Sequence, residues 1–102
     1  MATFVTVART DDLTPGQGKL VEVNHKRLAL FNVEGRYFAV DDVCPHRGGP
    51  LSEGELEGGA VVCPWHGAIF DLATGKVTRS PAAAGVATYD VRVEGDEIAV
   101  AV

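Results

Sequence analysis

An all-β fold is predicted for this 102-residue chain by three observations. Segments rich in Val, Thr, Phe, Ile and Tyr recur at short intervals, glycine-centred turns separate them, and no stretch sustains the 3.6-residue apolar period of a helix. Hydrophobic residues at 46% and charged residues at 23% fall near globular averages, which argues for a folded chain. At this length it forms one domain, with room for one core and one site.

The expected strands are Thr3 to Ala8, Lys19 to Val23, Arg27 to Val33, Arg36 to Val40, Ala60 to Cys63, Ala68 to Asp71, Lys76 to Thr78, Val86 to Val93 and Glu97 to Ala101. Pro15-Gly16-Gln17-Gly18 breaks the chain before the second. Glu34-Gly35 joins the third to the fourth, and Glu94-Gly95-Asp96 joins the last two, each placing glycine where a tight hairpin needs a residue tolerant of positive φ. Between the fourth strand and the fifth the pattern changes. The 24 residues from Cys44 to Gly67 hold two Cys-Pro steps and six glycines, at 48, 49, 54, 58, 59 and 67, and read as an inserted site-bearing unit.

The two cysteines of the chain sit in Cys44-Pro45-His46-Arg47-Gly48-Gly49 and Cys63-Pro64-Trp65-His66-Gly67. Each segment supplies one thiol and one imidazole, as C-x-H, sixteen intervening residues, then C-x-x-H. Three readings compete. A disulfide between Cys44 and Cys63 explains the cysteines but not the histidine that follows each. Zinc accepts a Cys₂His₂ set, but the usual finger places a cysteine pair before a histidine pair, whereas here each loop mixes the two types. A C-x-H pair suits two neighbouring metals, with thiolate and imidazole turned to different ions, as in an iron–sulfur centre in which two histidines replace two cysteines on one iron. The flanking residues favour a metal cradle: Pro45 and Pro64 bias each preceding cysteine toward an extended backbone, and Gly48, Gly49 and Gly67 let backbone approach a cluster and leave amides to face sulfur.

Cys-Pro-His-Arg-Gly-Gly-Pro-Leu and Cys-Pro-Trp-His-Gly-Ala-Ile-Phe-Asp resemble the two ligand loops of the Rieske [2Fe–2S] domain family, most closely the small ferredoxins of bacterial aromatic-ring hydroxylating dioxygenase systems. The likeness continues through Asp71-Leu72-Ala73-Thr74-Gly75 and through Ser80-Pro81, which is similar to the family's cluster-covering proline loop. It implies a single Rieske domain over residues 1–102, with antiparallel β-sandwich-like sheets and a smaller cluster-binding subdomain inserted at about 42–72. It also implies one [2Fe–2S] cluster, with Cys44 and Cys63 on the buried iron and His46 and His66 on the outer iron.

High-potential members carry one further cysteine in each loop, joined as a disulfide; the matching positions here are Gly49 and Trp65. They also carry a serine and a tyrosine that donate to cluster sulfur, where this chain has Ala68 and Phe70. Loss of those donors removes stabilisation of the reduced state, so the resemblance implies a potential at the low end of the Rieske range, on the order of −150 mV. Arg47 opposes this slightly, and solvent screens it.

The rest of the inventory gives no catalytic residue. His25, in Val23-Asn24-His25-Lys26, is the one histidine left over and reads as a turn residue, so the chain cannot by itself build a two-histidine, one-carboxylate iron site. No Gly-x-Gly-x-x-Gly opens a helix, which leaves no Rossmann-type flavin or nicotinamide site. What remains is a soluble, monomeric one-electron carrier, and the resemblance implies that it passes electrons from a flavin-dependent ferredoxin reductase to a terminal non-haem iron oxygenase. The alternative is a small Rieske-like subunit of an enzyme such as assimilatory nitrite reductase, and a cluster-based redox sensor ranks below both.

Fourteen acidic against nine basic residues give a net charge of −5. With no basic run, nucleic acid and anionic membrane are excluded as partners, while Glu53, Glu55 and Glu57 between the loops offer either a solvated acidic face or steering for a basic partner. The first residues lack a basic n-region and no apolar run approaches the ~20 residues of a membrane span, which leads to a cytoplasmic expectation.

Overall fold

Residues 3–45, 48–65, 67–79 and 84–102 are described in the computed structural model. Among them regular structure consists of strands plus two single 3₁₀ turns, Thr10–Asp12 and Leu51–Glu53. The strands are β1 (Phe4–Arg9), β2 (Gly18–Val23), β3 (Lys26–Val33), β4 (Arg36–Asp41), β5 (Glu55–Glu57), β6 (Ala60–Val62), β7 (Ile69–Asp71), β8 (Val77–Arg79), β9 (Thr88–Tyr89), β10 (Val91–Glu94) and β11 (Glu97–Ala101). They form three antiparallel sheets of order β1-β11-β10, β2-β3-β4-β9 and β5-β6-β7-β8. No helix among the described residues is long and apolar enough to cross a membrane.

Strand β3 explains how three sheets share one small chain. Leu28, Ala29, Leu30 and Phe31 are all buried, and successive side chains of a strand point to opposite faces. Leu28 and Leu30 pack with Ala8, Ile98 and Val100 of the first sheet. Ala29 and Phe31 pack instead with Val61 and Phe70 of the third sheet and with both cysteines. The middle sheet therefore has a core on each face, and the second core is the one that carries the site.

Two differences from the sequence-based strands have plain causes. Val86 to Val93 is two strands: β9 pairs with β4 in the middle sheet and β10 with β11 in the first. The chain changes sheet at Asp90, whose carbonyl accepts from the Ala101 amide at 2.9 Å, and periodicity alone does not register such a transfer. Strand β5, Glu-Leu-Glu, is unexpected because it carries no β-branched or aromatic residue. It forms by pairing with β6, Leu56 opposite Val61.

Two buried polar side chains fix the frame. Asn32 donates from Nδ2 to the Leu13 carbonyl at 2.8 Å and accepts the Gly35 amide at 2.8 Å, which ties the β3–β4 turn to the preceding loop. Asp42, just past β4, accepts the Ser52 amide on Oδ1 at 2.7 Å and the Leu51 amide on its carbonyl at 2.7 Å, while its own amide donates to the Arg27 carbonyl at 3.0 Å. These bonds anchor the entry to the first cysteine loop between β3 and the second 3₁₀ turn.

Candidate metal centre

The described residues of the two cysteine segments make matching backbone bonds. In the first, the Cys44 amide donates to the Gly49 carbonyl at 2.9 Å and the Gly48 amide to the Cys44 carbonyl at 2.7 Å. In the second, the Cys63 amide donates to the Ala68 carbonyl at 2.7 Å and the Gly67 amide to the Cys63 carbonyl at 3.1 Å. Both loops thus close by the same pair of bonds, from cysteine to the fifth residue on and back from the fourth. Each is also bracketed by an antiparallel pair, Val43 with Pro50 and Val62 with Ile69. The fourth residue adopts the left-handed region in both, φ 78° at Gly48 and 76° at Gly67, where a side chain is strained.

The loops face one another. A Cβ added at Gly49 would stand 2.8 Å from Cys63 Sγ and 3.1 Å from Trp65 Cγ, so only glycine lets the first loop's backbone pass that close to the second loop's sulfur. Gly49 and Trp65 thus meet as bare backbone against an indole. Cys44 and Cys63 are each 2% exposed and lie in the core that contains Leu51, Ala68 and Phe70. No disulfide joins them.

The sulfur environment fits an iron–sulfur cluster. Thiolates are the ligand form, and burying them among apolar groups is costly without a bound cation to neutralise them. Soft sulfur donors in a dry core answer that need. Ala68 and Phe70 are fully buried beside the cysteines and bring no hydroxyl to them. His46, Arg47, His66 and the Ser80-Pro81 segment lie outside the described residues. Among the described residues no group of three ligand-type side chains assembles.

Around the loops the surface is mixed in character. Val43 and Trp65 are 49% and 56% exposed, one residue before Cys44 and two after Cys63. A cavity of about 420 Å³ beside the second loop is lined by Glu53, Glu55 and Cys63. Another concavity, of about 580 Å³, lies at the other end of the strands, between Glu34 and Arg36 on the β3–β4 hairpin and Gly58-Gly59 of the β5–β6 turn. Sequence reasoning passed over Asp42; the signal available was an acid directly after an apolar strand and two residues before a cysteine.

Residues 3–90 match the family described as the Rieske [2Fe-2S] domain. The chain belongs to that family. As a Rieske domain it carries the family's [2Fe–2S] cluster, which removes the zinc reading. It is 38% identical over 91 residues to the ferredoxin component of the naphthalene 1,2-dioxygenase/salicylate 5-hydroxylase systems of Ralstonia sp., covering 89% of this chain and 88% of that protein. Among solved structures, the "Ferredoxin of carbazole 1,9a-dioxygenase from Nocardioides aromaticivorans IC177" superposes with a TM-score of 0.92 at 33% identity, covering 97% of both chains. A chain of the "Complex of reduced oxygenase and oxidized ferredoxin in carbazole 1,9a- dioxygenase" gives 0.89 at 33% identity, covering 96% of this chain and 92% of that one. Solved Rieske domains that match over nearly their full length also include the "putative NADH-dependent nitrite reductase small subunit from Mycobacterium tuberculosis", with a TM-score of 0.89 at 30% identity, covering 100% of this chain and 96% of that one. The sequence relatives of matching length are ferredoxin components of dioxygenase systems, and this chain is an electron-transfer component of that kind, not a catalytic enzyme.

Proposed function

We propose that Cys44, His46, Cys63 and His66 hold the [2Fe–2S] cluster, and that this Rieske ferredoxin carries single electrons from a flavoprotein reductase to a terminal non-haem iron oxygenase. The observation that carries the ligand assignment is the pair of matched loops, with the Gly49 backbone against Cys63 Sγ and both cysteines buried in one core. When bound, the cluster supplies a one-electron couple.

The remaining work belongs to the chain's own residues. Cys44 and Cys63 would supply thiolate ligands from the buried core, and His46 and His66, two and three residues further along their loops, would supply the imidazole ligands. Ala68 and Phe70 withhold the hydroxyl donors that would favour reduction, which sets the low potential. Exposed Val43 and Trp65 frame the loops with apolar surface for short-lived contact with each partner.

The unit inserted between β4 and β9 is the cluster-binding subdomain, and its sheet extends it to Arg79. The protein works as a cytoplasmic monomer whose partner contacts are weak and salt-sensitive. A fixed small subunit of nitrite reductase is the weaker reading: such subunits share the fold, but the sequence relatives of matching length are ferredoxin components.

The deciding experiment is low-temperature electron paramagnetic resonance on the dithionite-reduced protein, with iron, zinc and acid-labile sulfide assayed on the same sample. A rhombic signal of low average g with two irons and two sulfides is expected. Stoichiometric zinc without sulfide or signal would overturn the assignment.

A further inference from the structure

Beside the first cysteine loop lies a basic strip that the electron-carrier reading does not absorb. The β2–β3 turn holds Asn24 and His25 in the left-handed region, φ 50° and 64°, and His25, Lys26 and Arg27 are each exposed. These three residues line a concavity of about 440 Å³ together with Asp41, Tyr89 and exposed Val43. The Lys26 ammonium stands 5.3 Å from the centre of the Tyr89 ring, and Tyr89 Oη donates to Asp41 Oδ1 at 2.7 Å. Among the described residues neither Lys26 nor Arg27 forms an ion pair; the two that form join Arg9 to Asp96 and Arg92 to Glu94.

In a chain of net charge −5, two unpaired cations beside the apolar approach to a buried cysteine make a local reversal of sign. The second loop has the opposite flank, Glu53 and Glu55. We infer that Lys26 and Arg27 receive carboxylates on a redox partner as that partner covers Val43, so that the partner's electron port is bordered by an acidic patch on the side of the first loop. This rests on the electron-carrier reading and specifies the surface of its partner.

Carboxylates suit the strip better than phosphates. The Arg27 guanidinium matches a carboxylate in a two-pronged geometry. Lys26 is already placed over an aromatic face. Asp41 in the same hollow penalises a polyanion that enters deeply. With acid on the other flank, only one orientation of a partner brings unlike charges together on both sides, and rim charges act mainly through orientation and on-rate.

Two measurements test this. The redox-inert tris(oxalato)chromate(III) ion, a paramagnetic carboxylate-coated probe, is titrated into ¹⁵N-labelled holoprotein. Selective broadening of the amides of residues 25–27 at low salt is expected, and uniform broadening overturns the site. Pyrophosphate that displaces the probe at lower concentration than oxalate overturns the preference for carboxylates. In the second, reduced holoprotein passes one electron to tris(oxalato)cobaltate(III), giving cobalt(II) and oxidised protein, with hexaamminecobalt(III) as the cationic comparison. The K26E/R27E variant is expected to react about tenfold more slowly with the oxalate complex and no more slowly with the ammine, a difference that vanishes near 1 M salt. Equal rates for variant and parent would place the strip off the electron path even where the chromium probe binds. A protein with no cluster signal fails the function reading instead, while the broadening still reports on the strip.

Discussion

Tyr89, on β9, donates its hydroxyl proton to Asp41 Oδ1 across 2.7 Å and so joins the end of β4 to the strand that returns from the inserted sheet. Partial burial, and then the hydrogen bond and charge of Asp41, push the Tyr89 phenol from 10 up to about 12. A raised folded-state value means that the neutral phenol contributes stability in full below about pH 10 and loses it as pH climbs through about 12. Denaturant midpoints measured between pH 8 and 12 are therefore expected to fall less steeply in Tyr89→Phe than in the parent. Parallel curves would show that the pair does not contribute to alkaline stability.

His46→Cys and His66→Cys are each expected to abolish the low-g signal, whereas His25→Ala, at an exposed turn, leaves it intact. Electron paramagnetic resonance on the reduced variants checks both statements, and an unaltered signal in either histidine-loop variant would remove that residue from the ligand set.

Ala68→Ser and Phe70→Tyr restore hydroxyls beside the cysteines, and each is expected to raise the reduction potential in a spectroscopic titration. Phe70→Tyr also places a phenol in a fully buried site, at a cost of about 1–3 kcal/mol if the hydroxyl finds no sulfur. A potential that stays put while stability drops by that amount would mean that the new hydroxyl misses the cluster.

Gly49→Ala places a methyl 2.8 Å from Cys63 Sγ and 3.1 Å from Trp65 Cγ, and these side chains must shift to admit it. The expected cost is about 1–3 kcal/mol, typical of overpacking, together with faster loss of iron to a chelator. Retained iron and an unchanged melting temperature would show that the loops are not held as closely as this contact implies.

Much of the fold was legible because alternation marks strands and glycine marks turns. Glu97–Ala101 is the strand expected from its sequence, and the Glu34-Gly35 hairpin falls where expected, with Glu34 and Gly35 both left-handed. What escaped was information held between segments. Nothing local in Glu55-Leu56-Glu57 makes a strand; the partner β6 does. Residues 86–93 look continuous because their residue types are continuous, yet two different sheets divide them. At the site, the cysteine and histidine types and their spacing were readable in the two segments, and so was the family they point to. That Gly49 lies against Cys63 and that Asp42 clamps the loop entry depend on tertiary approach, to which a linear pattern is blind.

The pairing of β4 with β9 closes the frame just where the chain departs for the third sheet and comes back from it. An excursion tied at its neck behaves like a cartridge: what lies beyond the tie can be rewritten while the two sheets behind it keep their own core. Exchanging residues 42–87 between carriers of different potential should therefore transplant the electrochemistry while the first core stays as it is, and the seam to be matched is the pairing of Ala39 and Val40 with Tyr89 and Thr88 together with the face of the middle sheet, Ala29, Phe31 and Val40, that packs on the exchanged unit.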